Sequence, residues 1–405
     1  MKWSASRIDV ANYCRMRYWL KYILHAKEEN LPAFVSGHTY HEGANGFYDK
    51  LGKEDEVLTA SGRRRQGTKK YWDRDSFGRY LRGLYYAKVI ADKRLREKID
   101  SGKFHGKELE KNKQRLIAWN YKDEPHITAN RIYSASKLFF DHLIEEEPPK
   151  YSEKKFDFIL RDVFFPDNPK NIFDLWFSGY IDEIRIRDGQ VVIRDYKSGK
   201  PWINRMKVDH DPQLTLYNAG LCSLVLKNDE MAEKLGLLER RKNYFKNNSF
   251  IDAEFEEEFF MVEAPLTSEN MVKKDPDVNI NSLPFPLHKT KRTNNHFFEL
   301  MKMIFGTQQT MIDGNIYLER GRKCDFCNVK EACERKLEDA LGDGPKEENG
   351  QGLFDFCGVT YERKLEVNQG NSPITINPGV YQININMLEN KKSQKRINFK
   401  RKTSY

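Results

Sequence analysis

The spacing of apolar residues changes character along the chain. Over residues 6–27, again after Gly37, and over 127–146 the pattern predicts helices with one buried face, and the cation-rich segment between the last two reads the same way. Pro148 and Pro149 close this helical third, since proline lacks the amide a helix needs. From Phe156 the pattern becomes that of short strands, predicted over 155–161, 172–187 and 190–196, followed by a helix over 212–227 and a strand over 256–262. A polar, proline-containing stretch then runs to about Lys291, and a helix is predicted over 295–312, just before a cluster of cysteines. Past Glu338 the chain turns rich in Gly, Glu and Asn and reads as a linker. The expected division is a helical region over 1–150, a sheet core with its helix over 151–262, a C-terminal helix and cysteine cluster over 263–338, and a linker with a basic accessory tail over 339–405.

With 405 residues, 39% hydrophobic and 32% charged, the chain can bury a full core without covalent staples, which excludes disorder throughout. No apolar run approaches the roughly 18 residues of a membrane span, and residues 1–7 lack the apolar stretch of a secretory leader, so a soluble, cytoplasmic protein is expected. The net charge of +9 is unevenly spread. Residues 391–405 hold seven Lys or Arg and no acid, while residues 63–115 carry 18 bases against 7 acids. In the latter segment Tyr71, Trp72, Phe77, Tyr80, Tyr85 and Tyr86 sit among Arg74, Arg79, Arg82 and Lys88. Cations for phosphates beside rings for bases are the ingredients of a single-stranded nucleic-acid groove, although an amphipathic helix with its rings in the core has the same composition. A Gly-x-x-x-x-Gly-Lys-Ser/Thr loop is missing, so no P-loop motor is indicated.

The most informative stretch is 179–197. Its Asp188-Gly189 step predicts a two-residue type I′ hairpin, in which facing residue numbers share one sum, so Asp182 falls opposite Asp195 with Cβ atoms about 5 Å apart. Alternation puts Ile184, Ile186, Val191, Ile193 and Lys197 on the face of the two aspartates, and Glu183, Arg185, Arg187, Gln190 and Arg194 on the other. Opposed carboxylates beside an apolar face repel and are poorly solvated, so a positive partner is required. A hard divalent cation, Mg²⁺ or Mn²⁺, fits that demand, with Lys197 projecting toward the same point. A bare ion pair of Lys197 with one aspartate would leave the second uncompensated.

These residues resemble a known family. Gly179-Tyr180-Ile181-Asp182 and Asp195-Tyr196-Lys197-Ser198 resemble motifs of the RecB-like branch of the PD-(D/E)XK nuclease superfamily. Gly37-His38-Thr39-Tyr40-His41 resembles that branch's Gly-x-x-x-His motif, and Gln213-Leu214-Thr215-Leu216-Tyr217 its Gln-x-x-x-Tyr motif, whose two residues share a helix face. The resemblance implies an α/β restriction-endonuclease-like core, a mixed central sheet flanked by helices. It implies hydrolysis of DNA phosphodiester bonds, with His41, Asp182, Asp195 and the Tyr196 carbonyl holding one or two divalent ions. Lys197 would orient or help deprotonate water and steady the transition state, and Gln213 and Tyr217 would contact substrate or the lysine.

Cys324, Cys327 and Cys333 form C-x₂-C-x₅-C, three ligands in need of a fourth, and thiolates alone suit zinc or iron-sulfur equally. The run around Cys14 resembles the start of iron-sulfur members of the same branch, such as the AddB nuclease, CRISPR adaptation nucleases and single-strand exonucleases. The resemblance therefore implies a 4Fe-4S cluster on Cys14, Cys324, Cys327 and Cys333, clasping the two ends of the chain. Cys222 reads as a core residue and Cys357 as a spare thiol. The expected activity is a metal-dependent exonuclease on single-stranded or end-containing DNA in recombination, repair, phage replication or CRISPR spacer processing, nucleoid-associated and without a membrane partner. The rivals are a non-cleaving nucleic-acid-binding subunit of a helicase or integration complex, and a zinc-stapled RNA-processing nuclease. Gln351-Gly352-Leu353-Phe354-Asp355-Phe356 loosely resembles a sliding-clamp-binding peptide, although chance hydrophobics account for it as well.

Overall fold

The computed structural model describes residues 2–26, 28, 30–50, 56–58, 64–66, 72–113, 115–165, 168–198, 203–312, 324, 327, 329, 330, 332 and 333. The linker, the clamp-like peptide, Cys357 and the basic tail expected past Glu338 lie outside the described residues, as does Tyr71.

The chain begins with a short strand, β1 (Lys2–Trp3), and α1 (Ala5–Tyr13), whose first turn is capped by the Ser4 hydroxyl accepting from the Arg7 amide. The single helix expected over 6–27 is broken at Cys14. Its extended backbone ends α1 and caps α2 (Arg15–Tyr18), which runs into a π-helical turn at Trp19–Ile23. There follow α3 (Pro32–Lys50), the strand pair β2 (Glu56–Leu58) and β3 (Arg64–Gln66), α4 (Arg74–Asp100), α5 (Gly106–Lys113) and α6 (Glu124–Glu145). The sheet region comprises β4 (Tyr151–Phe165), β5 (Asn168–Arg187), β6 (Gln190–Lys197), α7 (Arg205–His210), α8 (Pro212–Lys227), α9 (Asp229–Lys234) and β7 (Glu256–Met261). The polar stretch up to Lys291, where the pattern marked nothing, contains α10 (Ala264–Lys274) and an edge strand, β8 (Leu287–Thr290), before α11 (Asn294–Ile312).

The sheet runs β1–β5–β6–β7–β8, with β4 on the other side of β5. It is mixed: β5 is antiparallel to β4 and β6, β6 is parallel to β7, and β1 is parallel to β5. Two cores sandwich it. One face carries α1, α8 and α11 over Phe156, Phe177, Ile184 and Ile193, and the other carries α3, α4 and α6 over Tyr196 and Phe260. The helix α8 lies unusually close to the sheet, because a Cβ on Gly220 would meet the Phe156 ring at 2.7 Å and one on Gly179 would meet it at 2.8 Å.

The arm of rings and cations is largely resolved in favour of packing. Phe77 and Tyr85 on α4 are fully buried, and Trp72, Tyr80 and Tyr86 pack against the same core beside α3 and α6. Phe77 and Tyr85 are therefore not free to stack on bases, while Trp72, Tyr80 and Tyr86 keep part of their surface exposed. Packing of these rings supplies the apolar face that holds α4 against α6.

One core acid offers a test. Glu257 on β7 is fully buried, accepts at Oε1 from Asn218 (2.5 Å), and has no hydrogen bond at Oε2. Burial pushes its carboxyl up to about 8, against the lowering effect of Asn218 and Arg292. The folded chain thus keeps a proton that the unfolded chain releases above its ordinary 4.5, so this residue costs stability as pH rises through that window. Glu257→Gln should lose less stability than the wild type as pH rises from about 4.5 to about 8, seen as a flatter curve of Tm against pH.

Candidate active site

The Asp188-Gly189 turn is built as its residues demand, with φ of 51° and 76°. The ladder that follows pairs Arg187 with Gln190, Ile186 with Val191, Ile184 with Ile193 and Glu183 with Arg194, the register read from the sequence. It stops one position before the aspartates. At that point the Asp182 side chain takes over: its Oδ2 accepts the Tyr196 amide at 2.9 Å. The two strands fork here, with Asp182 and Asp195 on either side, both buried.

Asp195 is held from α8 and from its own strand. Its Oδ1 accepts from Gln213 Nε2 (2.5 Å), and Lys197 Nζ stands 2.8 Å from its Oδ2. Lys197 donates to Gln213 Oε1 at 2.6 Å, and Gln213 is itself 2.7 Å from the Tyr217 hydroxyl. The i, i+4 pair on α8 therefore does what its helical spacing allows: both side chains converge beneath the lysine. The Asp211 side chain caps α8 by accepting the Gln213 amide.

His41 arrives from α3. Gly37, one turn earlier, permits the approach, since a Cβ there would stand 3.0 Å from Ser198 Oγ just past β6. His41 Nδ1 is 3.3 Å from Asp182 Oδ2 and 3.8 Å from Glu153 Oε1. Glu153 was not foreseen. It sits between the pairs Ser152/Glu183 and Lys154/Ile181, hence opposite Asp182, with a left-handed backbone (φ 46°). The register that would have revealed it is set by β4 and β5, whose pairing shifts between Leu160 and Val163 and again between Val163 and Phe165.

The charges here are strongly coupled. Burial alone would depress His41, but hydrogen bonds to Asp182 and Glu153 and the charges of Asp182 and Asp195 raise it to about 10. Burial raises Asp195 to about 6, opposed by Lys197 and reinforced by Asp182. Lys197 is depressed by burial and raised more by Asp195, so its net shift is upward and it remains an ammonium.

The donor set fits a hard divalent cation. Ligand atoms of His41, Glu153 and Asp182 lie within 4.8 Å of one another, and the buried Asp195 carboxylate bears on His41 and Asp182. Of the cysteines, Cys14, Cys327 and Cys333 pack against one small cluster with Met16, Leu20 and Val329. Burial pushes the Cys327 thiol up, and Cys14, Cys324, Cys327 and Cys333 are outside any disulfide. Cys222 is fully buried in α8, as read from the sequence.

With this geometry in view, the chain as a whole can be placed. It matches the family model of the PD-(D/E)XK nuclease superfamily over residues 2–334, and it belongs to that superfamily, whose nucleases use divalent metals. No curated protein matches it. Among the described residues no helix is long and apolar enough to cross a membrane.

A cation held here by His41 and Asp195 would displace the His41 proton and hold Asp195 ionised. Mn²⁺ affinity, followed by calorimetry in buffers of different ionisation enthalpy, should rise with pH from 6 toward 9 with net proton release, because the empty site binds protons at about 6 and about 10.

Proposed function

We propose that the chain is a Mg²⁺- or Mn²⁺-dependent deoxyribonuclease, an exonuclease acting on single-stranded or end-containing DNA. The observation that carries this reading is the buried Asp195 carboxylate, held by Lys197 and Gln213 and flanked by Asp182 and His41. A non-cleaving module gains nothing from maintaining such a costly arrangement.

His41, Asp182, Asp195, Glu153 and the Tyr196 carbonyl would hold the ion, which supplies Lewis acidity for activating water and for neutralising charge on the phosphate. The protein's own groups do the remainder. The Lys197 ammonium, locked between Asp195 and Gln213, orients the attacking water and donates to the oxyanion that develops on phosphorus. Its raised pKa makes it a donor rather than a general base. Tyr217 fixes Gln213, and Gln213 fixes the lysine and aspartate together. Recombination, repair, phage replication and CRISPR spacer processing all present the DNA ends such an enzyme consumes.

Asp195→Ala and Lys197→Ala, assayed on end-labelled single and double strands with Mn²⁺, should each lower cleavage at least about 1,000-fold while circular dichroism stays that of the wild type. Intact metal-replete protein that cuts no DNA would overturn the assignment.

The four cysteines are assigned a 4Fe-4S cluster that joins residue 14 to residues 324–333 across the sheet. Anaerobically purified protein should be brown, contain iron and sulfide in equal amounts, and lose colour in Cys14→Ser with a fall in Tm. A colourless protein carrying zinc would replace the cluster with a zinc staple.

A further inference from the structure

The back of the fork raises a question the aspartates do not answer. The backbone ladder ends at Glu183/Arg194, so ladder hydrogen bonds do not set the separation of Asp182 and Asp195. One side chain spans the gap. Tyr196, 3% exposed, donates its hydroxyl to Glu183 Oε1 at 2.5 Å while its amide donates to Asp182 Oδ2 at 2.9 Å. Its ring meets the His41 ring edge-on, with centroids 6.2 Å apart. Glu183 follows Asp182, and Tyr196 lies between Asp195 and Lys197 in sequence, so this one bond ties together the two strands that carry the site.

Glu183 is anchored in turn. Its Oε2 takes Arg185 at 2.6 Å, and Arg185 and Arg194 both grip Glu146 at the end of α6, at 2.7 and 2.5 Å. Arg194 also pairs with Glu258 on β7 at 2.6 Å. Glu183, Arg185, Arg194 and Glu258 are all at most 4% exposed. A chain of buried ion pairs with this many members has little freedom, so the oxygen it presents to Tyr196 is fixed in place.

We propose that Glu183 and the Tyr196 hydroxyl are a positioning pair for the reaction, setting the Asp182–Asp195 separation and the orientation of His41 from the opposite face of the sheet. The proposal rests on the nuclease reading. Neither residue reaches the reacting atoms through the groups in question; they act through the ligands they brace, as partners behind metal ligands do.

Tyr196→Phe, Glu183→Gln and the double variant test it, with Mn²⁺ binding by calorimetry, kcat and KM on a labelled oligonucleotide, and thermal unfolding. Tyr196→Phe removes only the hydroxyl and keeps the ring, so it provides a folded variant even if Glu183→Gln, which leaves Arg185 and Arg194 less neutralised, does not fold. Tyr196→Phe should weaken Mn²⁺ about tenfold and lower kcat by a similar factor, with KM within about twofold. The double variant should be no worse than the worse single, since Glu183→Gln weakens and Tyr196→Phe removes the same charge-assisted bond. Unchanged Mn²⁺ affinity and kcat in folded Tyr196→Phe, with at most a lower Tm, would make the pair structural and overturn the proposal. So would losses that simply add. Wild-type protein that neither binds Mn²⁺ nor cuts DNA would remove the nuclease reading itself, a result distinct from either.

Discussion

Two carboxylates are brought to one place at the fork of β5 and β6, and most of the molecule is arranged around the cost of doing so. Asp182 and Asp195 are both buried, and the Asp182 charge adds to burial in making Asp195 harder to ionise. The protein compensates with donors from four directions: the Tyr196 amide, Gln213 on α8, Lys197 on the strand itself and His41 on α3. Even so, burial holds the Asp195 carboxyl up to about 6, and a divalent ion at the fork would favour its ionised form.

The two faces of the sheet divide the labour. On one, α8 sits close to the strands over Gly220 and Gly179, which brings Gln213 and Tyr217 within reach of the lysine. On the other, α3 delivers His41 past Gly37, and α6 ends in Glu146, which joins the buried chain of arginines and glutamates behind the site. The rings of α4 hold this second layer together. Phe77 and Tyr85 of the cation-rich segment are thus packing residues, while Trp72, Tyr80 and Tyr86 are only partly buried.

Much of the site was legible because a two-residue turn fixes a register arithmetically. The Asp-Gly step, the parity of Lys197 and the helical spacing of Gln213 and Tyr217 all led to contacts that are present. Glu153 was hidden because register shifts interrupt the pairing of β4 with β5 and the residue reaches His41 from a left-handed backbone. The strand β1 was hidden because two residues carry no period, and α10 and β8 because polar surface positions mask a short element's apolar face. Rings among cations could not be sorted from sequence: core and nucleic-acid groove ask for the same composition, and only packing against α6 separates them.

The most direct measurement is the anomalous scattering of Mn²⁺ in crystals of the protein. The account predicts a peak ligated by both Asp182 and Asp195, with His41 on the same ion and Lys197 beside it. Saturating Mn²⁺ with no peak at the fork, or an ion bound by His41 and Glu153 with Asp195 turned away, would contradict it.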